Sequence, residues 1–337
     1  MKDIQPNLIS SQAFAGSNVL KTALQLCADA RSHEKNGDYL KAEELYRSSI
    51  EALDKKTEAK TERLRVWMLV NWANLYQLQG HYNEAEKLFL QALNLAESVF
   101  PANDLKLTRL FNNLAVLYKY MGRFDEAEKL YWRALSLLEP ALGSENTEIA
   151  TLYHNLGGLE HARGNYDKGE PFARRSVEIR KKVLGEHHPN VALDMAALAS
   201  ILTGQKKYDE AEKIYLEVIA IFDKLYGPNN YDTAINLNNL AALYQSKGKK
   251  VQAELLYRKA LSIKRSILGA KHPDVAMTLN NLAILLKSQG EQEEAATLYQ
   301  EALFIFKEEL GTQHPKFITC LDNYAALLKQ MKFDLNE

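Results

Sequence analysis

A glycine recurs along the chain at an almost constant interval, and this interval constrains the fold more than any other feature. The marker positions are 42 residues apart, except that the first interval is 43 residues and a lysine replaces one glycine. A fixed period of about 20–50 residues is typical of a repeat array, in which each unit buries its apolar face only against its neighbours. The marker positions are Gly37, Gly80, Gly122, Gly164, Lys206, Gly248 and Gly290.

The third unit shows how each repeat is built. Phe111, Leu114 and Tyr118 follow one another at i, i+3 and i+7, the spacing of an apolar stripe on an amphipathic helix. Gly122 ends this stripe, and a second stripe occupies residues 124–138. Glycine is favoured at the end of a helix because it adopts positive φ without strain. The sequence therefore predicts that each unit is an antiparallel helical hairpin, helix A followed by helix B.

The repeat fills nearly all of the 337 residues, which indicates one elongated domain. We expect an all-α fold, a right-handed α-solenoid of seven antiparallel helical hairpins in residues 18–314 with a C-terminal capping helix in residues 315–332. Prolines at the start of several A helices support these bounds, since proline is favoured in the first turn of a helix. Residues 1–17 are expected to form an N-terminal tail or an irregular cap.

The composition excludes several classes of function. The formal net charge of -1 provides no overall attraction to nucleic acid or to an anionic membrane. No stretch approaches the roughly 18–20 apolar residues that span a bilayer, and the N-terminus lacks the apolar core of a signal peptide. The two cysteines, Cys27 and Cys320, lie at opposite ends of the array, so we expect them to be unpaired and buried in helices. A reducing, cytoplasmic location fits this cysteine usage best.

Short motifs recur in register with the marker positions: LNNLAALY in residues 237–244, LNNLAILL in residues 279–286 and GAKHPDV in residues 269–275. With the small and aromatic positions of the third unit, they resemble the tetratricopeptide repeat over residues 18–331. The period of 42 residues exceeds the usual ~34 of that family, and is similar to the longer repeats of kinesin light chains and their bacterial relatives. The heptad coiled coil of kinesin light chains has no counterpart in residues 1–17, so we expect the resemblance to concern the repeats alone. The third-unit residues that carry it are Leu114, Ala115, Tyr118, Gly122, Phe124, Ala127, Tyr131 and Ala134.

One set of side chains is not explained by folding alone. Asparagines lie nine or ten residues before most marker positions, in the middle of helix A and opposite its apolar stripe. Asparagine in a helix interior costs roughly 0.5 kcal/mol relative to alanine, and a solvated face is usually filled by Glu, Lys, Gln or Arg. The set comprises Asn71, Asn112, Asn113, Asn155, Asn238, Asn239, Asn280, Asn281 and Asn323.

We expect these asparagines to bind an extended peptide in a groove. A carboxamide offers both a donor and an acceptor, so it can pair with a peptide backbone of any sequence. The family resemblance implies the same role, since the A helices of tetratricopeptide proteins line a concave surface and kinesin-light-chain-type repeats hold peptides with an asparagine array. The alternative is a structural ladder, in which asparagines of adjacent A helices hydrogen-bond to one another. The two roles are compatible.

Further side chains on the same face add positive charge. Asn74, Lys119 and Lys287 extend the predicted peptide-binding set, and Arg109 lies near the start of its helix. A mildly basic surface favours an acidic segment or a C-terminal carboxylate as ligand. An ordinary solvated lysine face is the alternative, and Asp322 argues against a uniformly basic surface.

The fourth and fifth units break the pattern. Glu160 replaces the core tyrosine of the fourth unit, and Ala196 and Ala197 replace the asparagines of the fifth. The two alanines form the floor of a shallow pocket for one anchoring side chain, with Glu160, His161 and Arg163 at its edge, or they reflect sequence drift in a tolerant layer. Both interpretations are open on the sequence.

No catalytic or metal-binding constellation is recognisable in the sequence. His188, His272 and His314 occupy the same repeat position, a full helix pair apart, and bonds of about 2.0–2.1 Å to one metal ion cannot join them. They are expected to be turn residues. No Gly-rich phosphate loop, nucleophile elbow, HExxH or CxxC motif occurs. The sequence predicts a protein that is not an enzyme and has no cofactor.

The predicted function is a protein–protein interaction scaffold that binds an acidic or extended segment of a partner protein. We expect no nucleic-acid partner, no membrane insertion, and a monomer or weak homo-oligomer. Two alternatives are open: a self-assembling structural protein whose groove is filled by its own tail or a second copy, and a regulatory module of a larger enzyme or signalling system that senses an effector near Ala196 and Glu160.

Overall fold

The computed structural model describes residues 18–53 and 58–334, and the predicted N-terminal tail or cap, residues 1–17, lies outside them. Within the described ranges the chain forms fifteen α-helices and no β-strand. The first fourteen alternate as A and B helices of seven hairpins, and the last is an additional A-type helix, so the predicted all-α fold is confirmed. The helices are α1 Asn18–Lys35, α2 Tyr39–Glu51, α3 Ala59–Leu78, α4 Tyr82–Val99, α5 Lys106–Tyr120, α6 Phe124–Leu142, α7 Thr147–Arg163, α8 Tyr166–Leu184, α9 Pro189–Gly204, α10 Tyr208–Tyr226, α11 Tyr231–Ser246, α12 Lys250–Leu268, α13 Pro273–Gln289, α14 Gln292–Leu310 and α15 Pro315–Asp334.

The helices pack as two compact units, and the division between them falls within α6, between residues 137 and 138. We call them the N-terminal unit and the C-terminal unit. Each has its own buried core, in which alanines allow close approach of helices and tyrosines fill the remaining space. The tyrosine nine residues after a marker position is among the largest fully buried side chains in five of the hairpins: Tyr46, Tyr131, Tyr215, Tyr257 and Tyr299.

The marker positions end the A helices, as the sequence predicts. Gly164 has φ 77° and caps α7, and Gly290 has φ 92° and caps α13. Lys206 stands at the equivalent position with φ 63°, the one positive φ of a non-glycine residue in the described part of the chain. An L-residue in this region costs roughly 1–2 kcal/mol, so the repeat geometry imposes the left-handed turn even where glycine is absent.

The repeated histidines are helix-capping residues. The Nδ1 atoms of His188, His272 and His314 each accept a hydrogen bond of 3.1 Å from the backbone N–H two residues later. These bonds satisfy donors in the first turns of α9, α13 and α15, which lack partners within the helix. The prediction that the three histidines are turn residues is confirmed, and capping is the reason for their position.

The two cysteines are free and buried, as predicted. Cys27 lies on α1 in the N-terminal unit, and Cys320 lies on α15 in the C-terminal unit. Burial raises the pKa of both thiols to about 12. Since the thiolate is the reactive form of cysteine, both side chains act as small apolar groups of the core.

Candidate functional site

In the N-terminal unit, predicted asparagines line a cavity between three helices. Asn71 and Asn74 on α3 face Asn113 on α5, and α4 closes the side. The cavity has a volume of about 110 Å³, below the roughly 300–1,000 Å³ of small-molecule pockets, so it is of a size to receive one side chain. Its apolar walls are formed by Val66, Trp67, Val70, Ala96, Phe100 and Leu110.

Three cationic side chains surround this cavity. Arg63 and Lys106 each place their charged group 5.3 Å from the centre of the Phe100 ring, and Arg109 is exposed on α5. Arg63 also donates two hydrogen bonds of 3.3 Å to the carbonyl oxygen of Val99, which holds its guanidinium in place. None of the three forms an ion pair with a carboxylate of the described residues. The rim of the cavity is therefore positively charged beside an aromatic ring.

The asparagines of the N-terminal unit bond mainly within their own helices. Asn71 Nδ2 donates to the carbonyl oxygen of Trp67 at 2.7 Å, and Asn112 Nδ2 lies 3.5 Å from Asn113 Oδ1. Val70 on α3 lies 43 positions before Asn113, and its side chain has no hydrogen-bonding group. The carboxamide of Asn113 is consequently held at the cavity wall without a partner on α3.

In the C-terminal unit the asparagines bond between neighbouring A helices. Asn281 Nδ2 on α13 donates to Asn238 Oδ1 on α11 at 3.2 Å. Asn323 Nδ2 on α15 donates to Asn280 Oδ1 on α13 at 3.1 Å. Both bonds join residues 43 positions apart, so the structural ladder that the sequence left as an alternative is present here.

These ladder bonds use only part of each carboxamide. Asn238 and Asn280 accept through oxygen and keep two N–H donors, whereas Asn281 donates and keeps its oxygen. Asn239 forms no side-chain hydrogen bond with the described residues, because the position 43 residues earlier is Ala196. All of these asparagines are half-buried, so the unused donors and acceptors lie at the surface of the A helices.

The remaining predicted residues lie on the same faces of their helices. Asn155 on α7 and Lys287 on α13 are half-buried in the C-terminal unit. Lys119 is half-buried on α5 of the N-terminal unit, and burial lowers the pKa of its ammonium group. Its Nζ lies 5.3 Å from the centre of the Tyr120 ring. Each unit thus carries one half-buried lysine of the predicted set.

A buried charge network joins the fourth and fifth hairpins, and the sequence did not indicate it. Asp194 on α9 is 1% exposed, and its carboxylate lies 2.8 Å from His154 Nδ1 and 3.1 Å from Arg180 Nε. Ser176 Oγ donates a hydrogen bond to the same carboxylate. The repeat position of Asp194 holds leucine or methionine in three earlier A helices but a polar residue, Asn236 or Thr278, in the two hairpins that follow, so it was only a weak signal in the sequence.

This network does not have the arrangement of a nucleophilic serine site. In such a site the histidine accepts the proton of the serine, and the aspartate contacts only the histidine. Here Ser176 is fully buried and bonds directly to Asp194, which separates it from His154. The network stabilises the packing of α7, α8 and α9.

In the irregular fourth hairpin, Glu160 replaces the core tyrosine and is itself buried. Glu160 is 2% exposed, its Oε1 lies 2.5 Å from Arg163 Nη1, and its Oε2 accepts from Asn165 Nδ2 at 3.1 Å. Of the two interpretations that the sequence left open, a pocket with Glu160 at its edge does not fit the structure, because this carboxylate is buried and paired. His161 Nε2 lies 3.1 Å from Ser200 Oγ, which links α7 and α9, and Ala196 on α9 is half-buried.

Comparison with known proteins identifies the repeat. The tetratricopeptide repeat model matches residues 64–139, 148–203, 193–266 and 256–308, more than half of the chain. No curated protein matches the sequence of this chain.

Several solved structures have a similar fold. A tetratricopeptide repeat protein from Parabacteroides merdae has a TM-score of 0.59 and 20% identity, covering 90% of this chain and 99% of that chain. BtubC (BKLC) from P. vanneervenii has a TM-score of 0.51 and 24% identity, covering 77% and 95%. A set of nearly identical TPR-like repeats assigned to a kinesin light chain of Podosopora anserina has a TM-score of 0.50 and 22% identity, covering 60% and 96%. All three are less than 25% identical to this chain, so their similarity shows the fold alone.

No helix in the described ranges is long and apolar enough to cross a membrane. The regular period, the alternating A and B helices and the matched family model agree with one another. The chain belongs to the tetratricopeptide repeat family, and its structural neighbours include kinesin-light-chain-like repeat proteins.

Proposed function

We infer that this chain is a non-enzymatic scaffold whose A helices bind an extended segment of a partner protein. Tetratricopeptide repeats generally mediate protein–protein interactions, and the described structure supplies the groups that such binding requires. The observation that carries the proposal is the partial use of the carboxamides in the C-terminal unit. Asn238, Asn280 and Asn281 are positioned by ladder bonds and retain donors or acceptors at the surface.

Positioned carboxamides suit a peptide backbone. An extended segment presents alternating N–H and C=O groups, and each asparagine offers both complementary groups. Because the ladder bonds already fix the side-chain rotamers, less conformational entropy is lost when the ligand binds. Asparagine is unfavourable in a helix interior, and this binding role accounts for its repeated occurrence.

The N-terminal unit by itself offers a second surface, one that favours particular side chains. Its cavity offers apolar walls for one anchoring residue, and Arg63, Lys106 and Arg109 surround the opening. A carboxylate next to an apolar anchor would pair with these cations while the anchor displaces water from the cavity. The ligand class that fits is an acidic segment with a large apolar residue. The reducing cytoplasm is the compartment that we propose for this encounter, in keeping with two free buried cysteines.

A displayed library of random peptides, followed by fluorescence polarisation of the selected sequences, tests this function. We expect wild type to select two groups of peptides: acidic ones with a large apolar residue, which bind the N-terminal unit, and extended ones of varied sequence, which bind the C-terminal unit. The variant Asn238→Ala/Asn239→Ala/Asn280→Ala/Asn281→Ala should bind the second group about tenfold or more weakly, since each lost hydrogen bond contributes roughly 0.5–1.5 kcal/mol. Thermal unfolding of both proteins checks that the variant is folded.

The matched control is Asn190→Ala/Asn229→Ala, which removes two exposed asparagines outside the predicted set. This control should bind the peptides as wild type does. Equal binding by the folded ladder variant would contradict the proposal and leave the asparagines with a structural role only. Selection of no peptide at all by the wild-type protein would also contradict it.

A further inference from the structure

The arginines at the cavity of the N-terminal unit lack the carboxylate partners that arginines have elsewhere in the structure. Within the described residues, every arginine forms an ion pair with a carboxylate except Arg31, Arg63 and Arg109. Two of these three, Arg63 and Arg109, line the cavity between α3, α4 and α5. Lys106 lines it as well and forms no ion pair with the described residues. The structure thus gathers cations at this cavity without neutralising them.

The carboxylates closest to these cations in sequence are bonded to other groups. Asp104 Oδ1 accepts a hydrogen bond of 2.9 Å from the backbone N–H of Lys106, at the start of α5. Glu62, which precedes Arg63, accepts hydrogen bonds of 2.8 Å and 2.9 Å from Arg65. Since neither carboxylate pairs with a cation of the cavity, a bound anion can supply the missing negative charge.

The polar groups around the cavity are mostly hydrogen-bond donors. The carboxamide of Asn74 forms no hydrogen bond with the described residues, and that of Asn113 accepts through its oxygen, so both keep two N–H donors. Arg63 uses two of its five N–H groups in the bonds to α4, and the ammonium group of Lys106 adds further donors. This excess of donors suits a ligand group that carries several acceptor oxygens and no donor.

A phosphate ester fits these groups better than a carboxylate does. Arg63 and Lys106 each lie 5.3 Å from the centre of the same ring, and Arg109 follows Lys106 by three residues on one helix face, so like charges are held close together. A phosphorylated side chain carries a charge of about -1.5 to -2 at pH 7 and three strong acceptor oxygens. It therefore offsets more of the repulsion among the cations than a singly charged carboxylate.

The cavity favours a phosphorylated protein over a nucleic acid as the source of this phosphate. Nucleic-acid bases bind proteins by stacking on aromatic rings. Phe100 is the ring at the rim, and a base would have to displace Arg63 and Lys106 to stack on it. The cavity of about 110 Å³ has apolar walls and is of a size to receive one side chain. A phosphorylated residue followed or preceded by an apolar residue matches both parts of the site.

We propose that the cavity of the N-terminal unit binds a phosphorylated segment of a partner protein, with the phosphate at Arg63, Lys106 and Arg109 and an apolar side chain inside the cavity. This inference rests on the peptide-binding function proposed above for the N-terminal unit, and it specifies the anionic group of the ligand. Binding of the partner then depends on its phosphorylation state.

A library of peptides with one fixed phosphoserine is the probe, and the same library with glutamate or serine at that position is the comparison. We expect the full chain to select phosphoserine peptides with a neighbouring apolar residue. In fluorescence polarisation, the glutamate version of a selected peptide should bind about tenfold or more weakly, and the serine version more weakly still. Equal affinity of the phosphoserine and glutamate versions would overturn this inference and leave the proposed function in place. Absence of binding to any peptide would overturn both.

The variant Arg63→Gln/Arg109→Gln removes two exposed cations of the cavity, so its unfolding temperature should stay near that of wild type. Its preference for phosphoserine over glutamate should fall to less than about threefold. Arg31→Gln is the matched control, since Arg31 lies on α1 of the same unit, outside the cavity, and also lacks a carboxylate partner. This control should keep the full preference. Equal preferences in the two variants would overturn the inference.

Two measurements on the wild-type protein test the phosphate itself. Phosphoserine loses its second proton near pH 6, so the preference over glutamate should grow about threefold between pH 5.5 and pH 7.5. A constant preference would contradict recognition of the doubly charged group. A uridine oligonucleotide at the same phosphate concentration should displace the labelled peptide far less than the unlabelled phosphopeptide does. Equal displacement would overturn the choice of a protein ligand in favour of a nucleic acid.

Discussion

The asparagines of the two units have the same repeat position but different partners. In the C-terminal unit, Asn281 and Asn323 bond to asparagines on the neighbouring A helix. In the N-terminal unit, Asn71 bonds to its own helix and Asn113 faces a cavity with a basic rim. A residue pattern repeated every 42 positions thus supports helix packing in one region and lines a cavity in another, according to which residue lies across from it.

The largest effect, a loss of stability, should come from the buried charge network of the C-terminal unit. Its groups are paired with one another, whereas the cations around the N-terminal cavity are not paired with carboxylates of the described residues. Asp194→Ala would leave the Arg180 side chain, which is 11% exposed, without its carboxylate, and breaking a buried pair in this way costs about 3–5 kcal/mol. Urea unfolding should show this loss of stability. The double variant Asp194→Leu/Arg180→Met should recover much of it, and a loss below about 1 kcal/mol for Asp194→Ala would argue against a structural role for the network.

Charge reversal at the cavity of the N-terminal unit should produce the next largest effect, and on binding rather than on stability. Arg63→Glu/Arg109→Glu should weaken the binding of a selected acidic peptide by roughly 30-fold or more, since lost charge-assisted contacts cost about 2 kcal/mol or more. Titration by fluorescence polarisation at two salt concentrations measures this change in affinity. Wild-type binding should weaken as salt rises, and the variant should be less sensitive.

The exposed pair Arg174 and Glu210 in the C-terminal unit provides the control for that experiment. Arg174→Glu reverses a charge outside the cavity and should leave peptide affinity unchanged. If Arg174→Glu and the cavity variant weakened peptide binding equally, a general charge effect would explain the result. The basic rim of the N-terminal cavity would then have no special role in binding.

A pair of single substitutions separates the two roles of asparagine within the C-terminal unit. Asn238→Ala removes an interhelical hydrogen bond of about 1 kcal/mol but improves helix propensity by about 0.5 kcal/mol, so we expect a net loss of about 0.5 kcal/mol. Asn239→Ala removes no such bond and should stabilise the protein by about 0.5 kcal/mol. Chemical denaturation of both variants measures the difference. Equal shifts in the same direction would show that the ladder bond has no energetic weight.

The smallest effect concerns Lys119 of the N-terminal unit, whose pKa is lowered by burial. The unfolded chain binds this proton more tightly than the folded chain, so stability rises with pH between the lowered folded pKa and the ordinary 10.5. Lys119→Met should therefore be slightly more stable than wild type at neutral pH. Thermal unfolding at several pH values should show this advantage shrinking as pH rises towards 10.5. A constant difference at all pH values would contradict the assignment.

Much of the fold could be predicted from the sequence because each hairpin depends on local spacing. The i, i+3, i+7 stripes predict the helices, and the marker positions predict where they end. Even Lys206 follows the pattern, with a left-handed φ of 63°. The asparagine face could be predicted for the same reason, since positions along one helix determine which side chains share a face.

The features that could not be predicted depend on contacts between different helices. Arg63, Lys106 and Phe100 come from α3, the start of α5 and the end of α4, and no short spacing signals that they surround one cavity. Likewise, Asp194 shares a polar repeat position with Asn236 and Thr278, and only the packing of α7 and α8 brings His154 and Arg180 to it.

The sequence by itself determined the repeat, the order of A and B helices and the face on which the asparagines lie. Only the tertiary structure decided that Asn281 reaches Asn238, that Asn239 meets Ala196 instead of a partner, and that His154 and Arg180 meet at Asp194. The physical reason is that hydrogen bonds and burial depend on the register between neighbouring helices to within about an ångström, and a repeat period specifies that register only to the nearest residue.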